Sequence, residues 1–120
     1  MKPHHTCLGL ALTLCVACAR GPGVAEQNTQ VAILKKWALS RCLAKASGDS
    51  PAGDDAAKTA AAYLEMGEAG IEVYEKLDAL AGGYLAREYS GSVKSNYNTM
   101  KCLDLYDSDE LDKLARDSAK

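Results

Sequence analysis

Apolar residues recur at helical spacing in five stretches of the chain, and no stretch alternates apolar and polar residues as a half-buried strand does. In the first stretch, residues 29–46, the apolar side chains share one face and the charged ones lie elsewhere, which predicts an amphipathic helix. Residues 55–66, 71–87 and 92–106 and the segment after Asp107 predict four more helices. We therefore expect an all-α, small single-domain helical bundle of about five helices.

Turn and cap residues between these stretches predict where the helices begin and end. The segment SGDSPAGDD, residues 47–55, predicts a solvent loop in which Asp54 or Asp55 caps the second helix. Gly82-Gly83 in the third helix indicates a kink, a close backbone contact or simple tolerance. Asp107 and Glu110 have capping-box spacing at the start of the fifth helix. After a turn at residues 90–92, the inner side of the fourth helix is expected to carry four residues: Val93, Tyr97, Met100 and Leu103.

Residues 1–25 have the pattern of a secretory signal peptide, with a polar start, an apolar run at residues 8–19 and then small residues. The run is shorter than the ~20 residues that span a membrane, so no membrane span is expected. Cleavage after Ala19 and cleavage after Ala25 both fit. Lipid attachment at Cys18 is the third alternative. The expected domain is residues 26–120.

Net charge indicates the class of partner, and cysteine content indicates a disulfide. Lys2 and Arg20 leave with the signal peptide, so the domain holds 12 basic against 16 acidic residues, a net charge of −4. This balance disfavours nucleic acid and suits a basic protein partner. Cys42 and Cys102 are the remaining cysteines, and an even number in an exported chain predicts a disulfide, the alternative being two buried thiols.

The residues that most enzymes need are missing from the expected domain. No histidine follows His5, which excludes Ser-His and Cys-His nucleophilic catalysis and zinc sites built from His and Cys. The carboxylates have the spacing of solvated helix faces and helix starts rather than of a glycosidase pair or a calcium loop. We therefore expect no catalytic residue, no metal and no cofactor, and a binding or inhibitor module. An envelope lipoprotein or adaptor that binds a structural protein is the alternative.

Three segments resemble a known family: LKKWALSRCLA, AAAYLEM and YLAREYSGSVKSNYNTMKCLDLYDSDELDKLA. They are similar to the periplasmic immunity proteins of type VI secretion amidase effectors, the fourth-family type of the Tai family. The resemblance implies a homodimer in the periplasm that binds a peptidoglycan amidase of the NlpC/P60-like cysteine type. It also supports the disulfide, since Cys42 and Cys102 match the family's cysteine positions.

The same resemblance implies where the amidase binds. In the family a protruding loop enters the active-site cleft of the amidase. On this chain the loop falls on Ser90, Gly91, Ser92, Val93 and Lys94. Tyr89 beside it is suited to an interface, because a tyrosine offers a large apolar face with a polar tip.

Overall fold

The computed structural model describes residues 23–119. Most of the predicted signal peptide therefore lies outside the described residues, together with Cys18 and Ala19, and Ala25 falls in the first turn of the first helix. All regular structure in the described part is helical: α1 (Val24–Ser47), α2 (Pro51–Met66), α3 (Ile71–Leu85), α4 (Asn98–Tyr106) and α5 (Asp109–Ser118). The prediction of an all-α bundle of five helices is confirmed. Within residues 23–119 no helix combines the length and apolar character that a membrane span requires.

Helix α1 forms the axis of the bundle and packs against each of the other four helices. Its inner face buries Leu34, Ala38 and Cys42, each at most 1% exposed. Trp37 meets the ring of Tyr74 on α3 edge to face, with 5.0 Å between ring centroids. The apolar stripe predicted for residues 29–46 is thus the face that holds the bundle together.

A disulfide joins Cys42 on α1 to Cys102 on α4, and both residues are fully buried. The predicted pairing is confirmed. Because the two cysteines are 60 residues apart in the sequence, the bond connects the beginning of the bundle to the helix that follows the longest loop. It therefore holds one end of that loop against the core.

Two helix starts differ from the sequence prediction. The segment predicted as a solvent loop is mostly helical, because Pro51 occupies the first helical turn and the hydroxyl of Ser50 accepts a hydrogen bond from the Gly53 amide at 3.0 Å. At α5 the cap is Ser108 instead of Asp107: its hydroxyl accepts from the Leu111 amide at 3.1 Å. Serine lies at the N-cap in both cases.

The glycine pair in α3 does not interrupt the helix. Residues Ile71–Leu85 are continuous, and a Cβ added at Gly82 or Gly83 would meet no atom within 4 Å. The close backbone contact considered for this pair is therefore absent among residues 23–119. The helix tolerates both glycines because neighbouring tertiary contacts support it.

Candidate functional site

Residues 86–97 connect α3 to α4 without regular structure, and we call them the α3–α4 loop. The helix predicted to begin at Ser92 begins at Asn98 instead. The residue before it, Tyr97, has φ 52° and ψ 33°, in the left-handed region. A helix cannot pass through a residue with that conformation, so the loop is longer than the three-residue turn expected.

The tip of the loop, residues 90–94, lies at the surface. Ser90 and the four residues after it are all exposed. Val93 was predicted on the inner side of a helix, yet it is 70% exposed. The prediction failed because Val93 lies in the loop. The tip therefore presents small residues, one apolar side chain and Lys94.

Met100 and Leu103, at 50% and 52% exposed, also face outward on α4, contrary to the prediction. The buried side of α4 carries Lys101, Cys102 and Leu105. The predicted stripe was rotated by about one residue, or 100°, because it included Val93 and Tyr97, which precede the helix in the structure.

Two contacts hold the base of the loop. The Tyr89 hydroxyl donates a 2.5 Å hydrogen bond to Oδ2 of Asp104, a contact that, with some burial, raises the tyrosine's pKa. Lys101 is 6% exposed, and its ammonium donates to the backbone oxygen of Leu85 at 3.2 Å. That oxygen belongs to the last turn of α3, where the helix dipole favours a cation. The two anchors therefore tie the loop's first half to α4.

Tyr97 lies inside the loop. Its hydroxyl donates to the backbone oxygen of Val93, and its amide donates to the Ser95 hydroxyl at 3.1 Å. A Cβ added at Gly91 would lie 2.9 Å from Cζ of Tyr97 and closer still to its oxygen. A larger residue at position 91 would require the Tyr97 side chain to move, because the end of its ring lies against the Gly91 backbone.

The predicted site residues lie in one loop, and the tip of that loop is exposed. Sequence reasoning missed two anchors, Lys101 and Asp104, and placed Tyr97 on a helix. One signal was available, since Tyr97, Lys101 and Leu105 recur every four residues, and a lysine within such a stripe indicates a buried ammonium that needs an acceptor. Between residues 23 and 119 there is no group of three His, Cys, Asp or Glu side chains that could hold a metal ion.

Comparisons with known proteins identify the family. The model of the Tai4 family, described as "Type VI secretion system (T6SS), amidase immunity protein", matches residues 32–115. This chain belongs to the Tai4 family. The match begins inside α1 and ends inside α5, so the α3–α4 loop and both cysteines of the disulfide fall within it. No match was found among curated proteins.

Solved structures agree with this family membership. One, from the effector–immunity system Tae4/Tai4 of Salmonella typhimurium, is 42% identical, with 74% of this chain and 90% of that chain covered and a TM-score of 0.68. A second, from work on type VI-secreted toxins and self-resistance proteins in Serratia marcescens, is also 42% identical, covering 74% and 73%, at 0.69. A third, from the Tae4–Tai4 complex of Enterobacter cloacae, is 31% identical, covering 72% and 88%, at 0.62.

Proposed function

We propose that this protein binds a type VI-secreted peptidoglycan amidase and inhibits it by inserting residues 90–94 into the active-site cleft. Family membership supports the partner class, because structures that resemble this chain come from complexes between the effector Tae4 and the immunity protein Tai4. The observation that carries the proposal for this chain is the exposed tip of the α3–α4 loop. Small residues make it narrow, and its base is anchored to α4.

Inhibition by occlusion needs no catalytic group in the inhibitor. An NlpC/P60-like amidase depends on a cysteine and a histidine in a cleft open to peptidoglycan, so a chain segment that fills the cleft excludes the substrate. A loop that is already ordered loses little conformational freedom on binding and therefore binds more tightly than a flexible one. The exposed Val93 side chain provides apolar area at the tip that binding can bury.

The proposed setting is the periplasm, where the amidase meets peptidoglycan and where a disulfide persists. We further propose that the protein is a homodimer in which the second subunit assists binding. Light scattering on the purified protein tests the dimer. Mass spectrometry of the exported product tests the leader, since an amino terminus at Arg20, an amino terminus at Glu26 and a lipid on Cys18 differ in mass.

The central test compares two charge-introducing substitutions at equally exposed apolar positions. Val93 is 70% exposed on the loop tip, and Ile71 is 66% exposed at the start of α3. We expect Val93→Asp to weaken inhibition of the purified cognate amidase at least tenfold, because the aspartate cannot be buried in the cleft without a partner. Ile71→Asp should inhibit like the unmodified protein.

Because residues 90–92 are already Ser-Gly-Ser, the second variant, the loop replacement, changes Ser90, Ser92, Val93 and Lys94 to glutamate and keeps Gly91. It should abolish inhibition while the melting temperature stays within a few degrees. Full inhibition by both the loop replacement and Val93→Asp would place the inhibitory surface elsewhere. If Ile71→Asp alone weakened inhibition, the α2–α3 side of the bundle would be the binding surface instead.

A further inference from the structure

We infer that Tyr97 is a positioning residue that shapes the tip of the α3–α4 loop for its partner. This inference rests on the proposed insertion of residues 90–94. Tyr97 does not belong to the tip, and it is half-buried where the tip is exposed.

The loop has almost no backbone scaffold of its own. From residue 88 to residue 96, all within the described part of the chain, no backbone amide donates to a backbone carbonyl. The hydrogen bonds that flank this gap run from Arg87 to Tyr84 and from Lys101 to Tyr97. A loop of this kind keeps one shape only where side chains hold it.

Tyr97 supplies those contacts from inside the loop. Its hydroxyl donates a hydrogen bond to the backbone carbonyl of Val93, and the end of its ring lies against Gly91. Two of the five tip residues therefore contact this one side chain. The anchors at Tyr89 and Lys101 act lower, at the base. In the described part of the chain, no side chain of residues 90–94 has a hydrogen bond or ion pair, and the one bond to this segment is the bond from Tyr97 to the Val93 carbonyl.

The backbone of Tyr97 supports the same role. It is the one residue other than glycine with positive φ between residues 23 and 119. This conformation is unfavourable for a tyrosine, while asparagine and glycine tolerate it and are also better N-caps. A residue chosen only to begin α4 would therefore be asparagine or glycine. The ring and hydroxyl of tyrosine offer what those residues lack, which is contact with the tip.

Tyr97→Asn separates the two roles. Because asparagine suits both the left-handed backbone and the N-cap, we expect an unchanged or higher melting temperature. The unsupported tip should occupy the inserting shape for only part of the time, and the apparent affinity falls by that fraction, about 10- to 100-fold. The loss should appear in the association rate for the amidase. Tyr97→Phe keeps the ring and loses one hydrogen bond, so it should weaken binding less than tenfold.

A measurement on the free protein, without the amidase, tests whether Tyr97 orders the tip. NMR order parameters of the residue 90–94 amides should fall from values near those of the helices to below about 0.6 in Tyr97→Asn. Amides that stay as ordered as in the unmodified protein would overturn the inference. So would full inhibition by Tyr97→Asn where replacement of residues 90–94 abolishes it. If the loop replacement itself inhibits fully, the proposed function fails, and the order parameters still decide whether Tyr97 shapes the loop.

Discussion

Two tyrosines on α3 should respond in opposite directions to the same substitution. Tyr74 and Tyr84 are equally buried, at 4% and 5% exposed. The Tyr84 hydroxyl donates to Oε2 of Glu110 at 2.9 Å, whereas the Tyr74 hydroxyl is buried without a hydrogen-bond partner among residues 23–119. Replacing each by phenylalanine removes one oxygen and leaves the ring in place. Each variant is therefore a matched control for the other.

The expected magnitudes follow from the fate of each hydroxyl. A buried polar group without a partner costs roughly 1–3 kcal/mol, so Tyr74→Phe should stabilise the fold by about 1 kcal/mol once small packing losses are included. Tyr84→Phe removes a made hydrogen bond and should destabilise by about 0.5–1.5 kcal/mol. In a domain of this size, 1 kcal/mol corresponds to a shift of roughly 4–8 °C in the melting temperature.

Thermal and urea unfolding followed by circular dichroism measures both changes. Burial raises the pKa of Tyr74 above 10.0. Above pH 10 the tyrosine ionises in the unfolded chain while it is still protonated in the folded protein, so the free energy of unfolding of the unmodified protein falls as pH rises. The advantage of Tyr74→Phe should therefore grow above pH 10. A Tyr74→Phe variant destabilised as much as Tyr84→Phe would refute the reasoning, because its hydroxyl would then have a partner.

Three further changes test the framework of the bundle. Reduction of the Cys42–Cys102 disulfide, whose cysteines are 60 residues apart, should lower the free energy of unfolding by about 4 kcal/mol and the melting temperature by roughly 15–30 °C. Calorimetry with a thiol titration checks this. A fully reduced protein that melts within a few degrees of the oxidised one would contradict it. Burial opposes ionisation of Asp78, but hydrogen bonds from Lys45 and Arg41 outweigh it and hold its pKa below 3.8. Asp78→Asn should thus cost about 1 kcal/mol at pH 7, and urea unfolding should show the difference shrinking as pH falls below 3.8. Ser108→Ala should lower the free energy of unfolding by about 1 kcal/mol, because the N-cap hydrogen bond is lost. Asp107→Ala, at the cap position expected from the sequence, is the control and should lower it by less than half as much in the same urea unfolding assay.

The sequence predicted the bundle well because helical periodicity reports burial directly. Leu34, Ala38 and Cys42 recur at helical spacing and are all buried against the other helices. The disulfide was predictable from the count of cysteines outside the predicted signal peptide. Both features depend on residue type and spacing alone, without knowledge of which helix packs on which.

The loop was harder because its shape depends on contacts that no local pattern encodes. Nothing in the spacing of residues 92–106 indicates that Tyr97 leaves the helical region, since tyrosine disfavours the left-handed conformation it adopts. The contacts between Tyr89 and Asp104 and between Lys101 and Leu85 join residues 15 and 16 positions apart. Such pairs become visible only when α3 and α4 are placed side by side.

The anchors of the α3–α4 loop lie outside its tip, so the residues that hold the loop differ from those proposed to contact the amidase. The loop is held by hydrogen bonds of the Tyr89, Tyr97 and Lys101 side chains. The one acceptor within the tip is the backbone carbonyl of Val93, which any amino acid at that position would supply. Ser92, Val93 and Lys94 expose their side chains and add nothing to the core. Only Gly91 is constrained, by the tyrosine ring against it. Exchange of Ser92, Val93 and Lys94 should therefore alter which amidase is bound while leaving the melting temperature within the small range typical of surface substitutions, about 0.5 kcal/mol. An exchange that unfolded the domain would mean that the tip supports the bundle after all.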